Sequence, residues 1–141
     1  MISAMNPVGR MLFGAGELPA DLRAALEAEG LALLEEGLTG SITYRNYRAP
    51  GQRSSWRKEA VSGAIAVSGR RLVVWAGRGK HIDIPRAGAY LTAIDIGVEP
   101  PDRVRFAYDA GKFNPARSGT VEVRLRTPRA ADVAGLLTPP S

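Results

Sequence analysis

Val67-Ser-Gly-Arg-Arg-Leu-Val-Val-Trp-Ala-Gly-Arg-Gly-Lys-His-Ile-Asp-Ile-Pro85 decides how this chain is read. Two short apolar runs, residues 72–76 and 81–84, flank Gly77-Arg78-Gly79-Lys80. Such a link either grips phosphate or turns a hairpin. A Walker-type loop needs glycine where Val74 stands and serine or threonine where His81 stands. The link also joins two strand-like runs, so no helix N-terminus faces a bound phosphate. The stretch therefore reads as a hairpin, with Gly77 and Gly79 supplying positive φ and Arg78 and Lys80 projecting as a basic tip.

The same grammar extends in both directions. Upstream, Val61, Gly63, Ile65 and Val67 alternate with Ala60, Ser62, Ala64 and Ala66, and Ser68-Gly69 marks a tight turn. Residues 41–48 form an earlier strand, with Ile42 and Tyr44 on one face and Thr43 and Tyr47 on the other. Ala49-Pro-Gly-Gln52 is a turn by composition. Downstream, strands are expected at residues 90–96, 103–109 and 120–127, the last with Val121, Val123 and Leu125 inward. Thr127 and Pro128 open a closing helix, as N-cap and first helical residue, and Val133, Leu136 and Leu137 form its apolar face.

Before the strands, residues 18–30 read as a helix. Pro19 suits its first turn, Asp21 suits the positive end of its dipole, and Leu18, Leu22, Ala25 and Leu26 share a face. Residues 31–38 fit either more helix or a short strand. Residues 1–17 contain three glycines and no periodicity, and read as a flexible leader ahead of a single domain over residues 18–137. About seven short strands joined by tight turns are antiparallel. Curling into a barrel, or into an orthogonal sandwich, with a helix at one end hides their inner face. The fold class expected is thus mainly β (α+β), with an extra N-terminal helix. Trp75 adds a constraint. Its strand is apolar on both faces, so either the N-terminal helix or a second subunit must cover the outer one.

The totals agree with a soluble domain: 141 residues, 45% apolar and 23% charged. With no cysteine, disulfides and thiolate metal sites are excluded. No apolar run approaches a membrane span, and residues 1–16 lack the pattern of a signal peptide, so a cytoplasmic location is expected. Charge is uneven: residues 1–40 carry −4, residues 41–86 carry +8 and residues 87–141 carry +1. A concentrated basic segment attracts anionic partners.

Gly63-Ala-Ile-Ala-Val67, then Arg70-Arg-Leu-Val-Val74, then His81-Ile-Asp-Ile-Pro85 resembles the bacterial PH-like and GRAM-like families. The final strand and helix, residues 121–137, match their last elements. The resemblance covers roughly residues 31–137. It implies a PH-like barrel and a non-enzymatic binding or scaffolding role. In PH domains the first inter-strand loop contacts lipid headgroups, which makes Arg48, Arg53, Trp56, Arg57 and Lys58 candidates here, with Arg78 and Lys80 at the second tip. Arginine offers bidentate donors to phosphate, and tryptophan favours the membrane interface. On this reading the chain attaches peripherally to the inner membrane face.

Enzyme chemistry finds little footing. His81 is the only histidine and lies in a strand, and no Gly-x-Ser-x-Gly elbow accompanies it. No metal-ligand spacing and no cofactor motif is present, so neither is expected. A protein partner or self-association is the alternative to lipid. Single-stranded nucleic acid, stacking on Tyr44, Tyr47 and Trp56, ranks below both, because no RNP-like motif or recognition helix accompanies the aromatics.

Overall fold

The computed structural model describes residues 16–77 and 79–137. Most of the expected leader, the Arg78 tip and the last four residues lie outside the described residues. Chain order is α1 (Ala20–Glu29), β1 (Leu31–Ala49), β2 (Gln52–Ser68), β3 (Arg71–Ala76), β4 (Gly79–Pro85), α2 (Ala89–Thr92), β5 (Asp95–Glu99), β6 (Arg103–Asp109), a 3-10 turn (Ala110–Lys112), β7 (Ser118–Arg126) and α3 (Ala130–Leu137).

The seven strands form one antiparallel sheet in the order β4-β3-β2-β1-β7-β6-β5. It curls into a half-barrel. Among the described residues no ladder joins its edges, β4 and β5, so the mainly β, curled sheet expected is present as an open half-barrel. The concave side holds the main core, where Phe106, Ile65, Leu72 and Leu125 are fully buried. α3 packs Ala130, Val133 and Leu137 into that core. Its entry follows the expected chemistry: the Thr127 hydroxyl accepts from the Arg129 N–H at 3.0 Å and donates to Glu35 at 2.8 Å.

The convex side of β2 and β3 is also apolar, through Ala64, Ala66 and Val73, and α1 covers it with Leu26 and Leu22. Trp75 packs against this second cluster, so it is the helix of the same chain that sits over its strand. Burying Leu26 completely contributes on the order of 2 kcal/mol. Polar contacts fix the helix in place. The Ser68 hydroxyl and the Arg71 Nε both donate to Glu29, at 2.8 and 3.1 Å, and Arg71 reaches on to Asp83 at 3.0 Å. At the other end of α1, Glu36 accepts from the Leu18 N–H at 2.8 Å and pairs with Arg23 at 3.1 Å.

Residues 31–38, open between helix and strand, are strand, continuous with the rest of β1, and the register slips between Glu35 and Leu38. Two expectations about neighbouring segments need correcting. Residues 90–96 are not one strand: they hold the short helix α2 and the start of β5. The largest correction concerns residues 53–58. They are not a loop but the first part of β2, paired with β1 down to Ala49 opposite Gln52. Composition concealed this, because residues 52–60 have no apolar alternation. The stretch is exposed or half-buried strand, and β3 pairs with β2 only from Gly63 onward. Its other edge is therefore open, and Arg53, Arg57, Lys58 and Glu59 supply the charges that guard an open edge.

Candidate functional site

Two breaks in strand regularity meet at one end of the half-barrel, and together they build a recess there. In β1, Asn46 takes a left-handed φ of 50°, and the pairing with β7 slips between Arg45 and Arg48. Asparagine tolerates this region better than most residues. Opposite it stands Gly119, with φ of 96°, where a Cβ would run into the backbone of Arg45 and Asn46. The break reverses the expected alternation: Tyr47 joins Tyr44 in the core instead of facing away, with ring centroids 4.9 Å apart.

The second break lies in β4. Trp75 pairs with Lys80 and Val74 with Ile82, which leaves His81 as an extra residue. A bulge of this kind re-aims a side chain. Asp83 bonds Arg71, Ile82 enters the core, and His81 lines the recess together with both of them. The turn before it uses positive φ at Gly77 (65°). Gly79, expected to share that role, is instead a paired strand residue.

The recess exists because the sheet does not close. Across the gap from β4 stand Tyr108 of β6, Phe113 after the 3-10 turn, and Tyr90 of α2. The Tyr108–Phe113 and Tyr90–Phe113 centroid distances are 5.4 and 5.7 Å. The Tyr108 hydroxyl donates to the His81 carbonyl at 3.4 Å, a long bond that bridges the gap. Two cavities lie on either side of His81, Tyr108 and Phe113. One, of about 270 Å³, has Ile82, Ile84 and Ile94 in its wall. The other, of about 100 Å³, is lined by Tyr44, Tyr47, Asn114 and Arg117.

Titration within the recess follows from burial. Desolvation lowers the pKa of His81, an effect that the nearby Arg117 charge reinforces and that a hydrogen bond with the Ala76 backbone and the Glu59 carboxylate oppose. Desolvation raises Tyr44 and Tyr108. At neutral pH the phenols and the imidazole are therefore uncharged, and the arginines carry the local charge.

Those arginines are unusual in having no acidic partner. Arg48 stands directly opposite Arg53 at the tip of the β1–β2 hairpin, and on its other side it pairs with Ser118, the residue after Arg117. Three neighbouring strands thus bring one arginine each to the same end. Among the described residues no carboxylate is within ion-pairing distance of any of them, nor of Lys112 in the adjoining 3-10 turn. Lys58, on the convex face, and Arg70, at the far turn, are likewise unpaired. Arg57 lies over the Tyr44 ring, with its guanidinium carbon 4.4 Å from the centroid, and has only a distant carboxylate, Glu59, at 3.9 Å.

The expected basic cluster is therefore divided. Arg48 and Arg53 stand at the tip of the β1–β2 hairpin and Arg57 lies over Tyr44, but of the arginines and lysines only Arg117 lines either cavity among the described residues. Trp56 and Lys58 alternate with Arg57 along β2 and face the opposite, convex side, where Trp56 is 59% exposed. Lys80 pairs with Asp83 at 2.8 Å, and Arg78 lies outside the described residues. Sequence reasoning passed over Arg117, Tyr108 and Phe113, and it treated His81 as an ordinary strand residue. The mouth's polar groups suit capture of an anion, and its rings suit an apolar body. Among the described residues no group of three or more His, Asp or Glu is placed to hold a metal ion. Comparisons with family models, curated proteins and solved structures returned no match.

Proposed function

We propose that the chain is a non-enzymatic binding module of the PH-like or GRAM-like kind that attaches to anionic phospholipid headgroups through the mouth of the half-barrel. The observation that carries this reading is the Arg48–Arg53 cross-strand pair beside Arg117, three cations brought together without a carboxylate. Like charges directly opposite one another destabilise a sheet, and an anionic ligand relieves the repulsion. Each basic residue near an anionic surface contributes ~1 kcal/mol, so the mouth supports a weak attachment that falls with ionic strength. No helix among the described residues is long and apolar enough to cross a membrane.

Co-sedimentation with anionic and neutral vesicles across a salt series tests the reading. Binding to anionic vesicles should weaken with salt and disappear in an Arg48→Glu/Arg53→Glu/Arg117→Glu variant. Lys58→Glu, on the convex face, should retain most of it. Equal loss from both variants would mean general charge attraction and no headgroup site at the mouth.

A protein partner is the second reading, and the open edge of β2 with exposed Trp56 favours it. It calls for strand addition along residues 52–61, insensitive to salt. Sedimentation velocity over a concentration series separates self-pairing at this edge from a monomer.

A further inference from the structure

We infer that the mouth takes a small amphiphilic anion, with its ring or short acyl body in the larger cavity and its single carboxylate or phosphate against Arg117. This rests on the proposed anion-binding reading and names the ligand class.

The two cavities share His81, Tyr108 and Phe113 as a common wall, and only the smaller has an arginine in its lining. The larger is bounded by isoleucines, by the edge-to-face and tilted rings of Tyr90, Tyr108 and Phe113, and by Asp83, whose carboxylate is already held by Arg71 and Lys80. A cavity of about 150 Å³ lined by apolar side chains holds benzene, so the 270 Å³ here admits a ring with substituents. It falls short of the volume usual for a drug-sized ligand, which limits the body to one ring or a short chain. The smaller cavity has the unpaired Arg117 guanidinium, the Asn114 side chain and two tyrosines. Asn114 Oδ1 already accepts from the Ala116 N–H at 2.9 Å, which leaves its amide NH₂ as a donor. Hydrogen-bond donors and a cation adjoin a chamber walled by rings and isoleucines, and a long hydrogen bond, Tyr108 to the His81 carbonyl, lies at the wall between them. An inorganic anion leaves the larger cavity unfilled, and a neutral apolar molecule leaves Arg117 unpaired. A ligand with both parts satisfies both.

Calorimetric titration of the full chain with phenyl phosphate, phenol and inorganic phosphate tests this, with amide chemical-shift mapping alongside. Phenyl phosphate should bind at least about tenfold tighter than either fragment. Arg117→Ala, at an exposed position, should cost phenyl phosphate about tenfold and leave phenol unchanged. Shifts should centre on Ile84, Ile94 and Phe113. Phenyl phosphate no tighter than phosphate, or shifts confined to residues 48–53, would overturn the inference while leaving the headgroup reading intact. Retained phenyl phosphate binding in an Arg48→Glu/Arg53→Glu variant that no longer sediments with vesicles would support the inference apart from that reading.

Discussion

The chain places arginine directly opposite arginine at three positions in the sheet, and it treats them in two ways. Arg103 faces Arg126 and Arg105 faces Arg124, both across β6 and β7. Every member of these pairs has a carboxylate: Glu99 for Arg103 at 2.9 Å and for Arg124 at 3.1 Å, Asp95 for Arg105 at 3.0 Å, and Asp102 for Arg126 at 3.4 Å. Glu122 lies at the centre, bonded by Arg45 at 3.0 Å and by Arg105 at 2.5 Å. Burial opposes the Glu122 charge, but the hydrogen bonds from Arg105 and Arg45 override it and hold its pKa below the usual carboxylate value. Arg48 faces Arg53 with nothing comparable. The same repulsion is neutralised by carboxylates at one place and not at the other, which on the proposed reading is where an outside anion binds. The difference separates arginines tied into the fold by carboxylates from arginines that are not.

The largest expected effect comes from breaking the geometry that makes the mouth. Gly119→Ala forces a Cβ against the backbone of Arg45 and Asn46 at a φ of 96°, and should cost about 3 kcal/mol in urea unfolding. Near-UV circular dichroism should show the Tyr44–Tyr47 contact disturbed in whatever folded state remains. Next in size is Glu122→Ala on the convex face. It strips the shared carboxylate from Arg45, Arg105 and Arg124. Two of these cations keep other acids and Arg45 is 51% exposed, so solvent offsets part of the loss, leaving a cost of about 1–2 kcal/mol. Arg117→Ala, by contrast, should stay within about 0.5 kcal/mol of the parent. If the two variants lost stability equally, the distinction between paired and unpaired arginines would fail.

How much of this was readable beforehand follows from which signals are local. β3, β4 and β7 announced themselves, because Leu72–Val74, Ile82 with Ile84, and Val121–Val123–Leu125 are buried runs bounded by turn residues. α1 and its cover over the Trp75 strand were legible from one apolar helix face and one doubly apolar strand. The β1–β2 hairpin was legible in its turn at residues 49–52 and its inner half, but not beyond. Its outer half is an open, charged edge, and an open edge of this kind carries little of the apolar periodicity by which strands are recognised. The mouth was legible only as charge. Arg48, Arg53 and Arg57 were in view, but the inward turn of Tyr47 depends on one left-handed asparagine, and that of His81 on one extra residue in β4. Both are properties of pairing with a neighbouring strand. Arg117 was invisible for the same reason: it reaches the site only because β7 begins beside Arg48.

A smaller effect, opposite in sign, sharpens the comparison. Arg53→Glu installs at the hairpin tip the carboxylate that the convex pairs already have. It should stabilise the chain by about 0.5 kcal/mol, the scale of a cross-strand ion pair, while weakening sedimentation with anionic vesicles. Stability and binding moving in opposite directions is the signature of a repulsion kept for a ligand. A gain in stability with unchanged vesicle binding would remove Arg53 from the site.

The subtlest test uses the single histidine. Burial depresses the His81 pKa below its unfolded value, so the unfolded chain takes up a proton first as pH falls. Its contribution to stability is complete above the unfolded pKa of about 6.5 and is lost progressively as pH drops toward the folded value. Glu122 and Glu29, whose folded pKa values are also lowered, contribute their own loss only below the carboxylate range, about pH 4.5. Between about pH 7 and 5, thermal melts of the parent should therefore fall more steeply than those of His81→Gln. Parallel curves would place His81 in solvent and away from the recess. The proton that weakens the fold also adds a positive charge beside Arg117, with the Glu59 carboxylate acting in opposition. A bound anion must in turn raise the His81 pKa. Anion affinity should accordingly rise over the same interval in which stability falls, and His81→Gln should abolish both trends together. If stability responded and affinity did not, the anion would be bound at the hairpin tip, away from the recess that His81 lines.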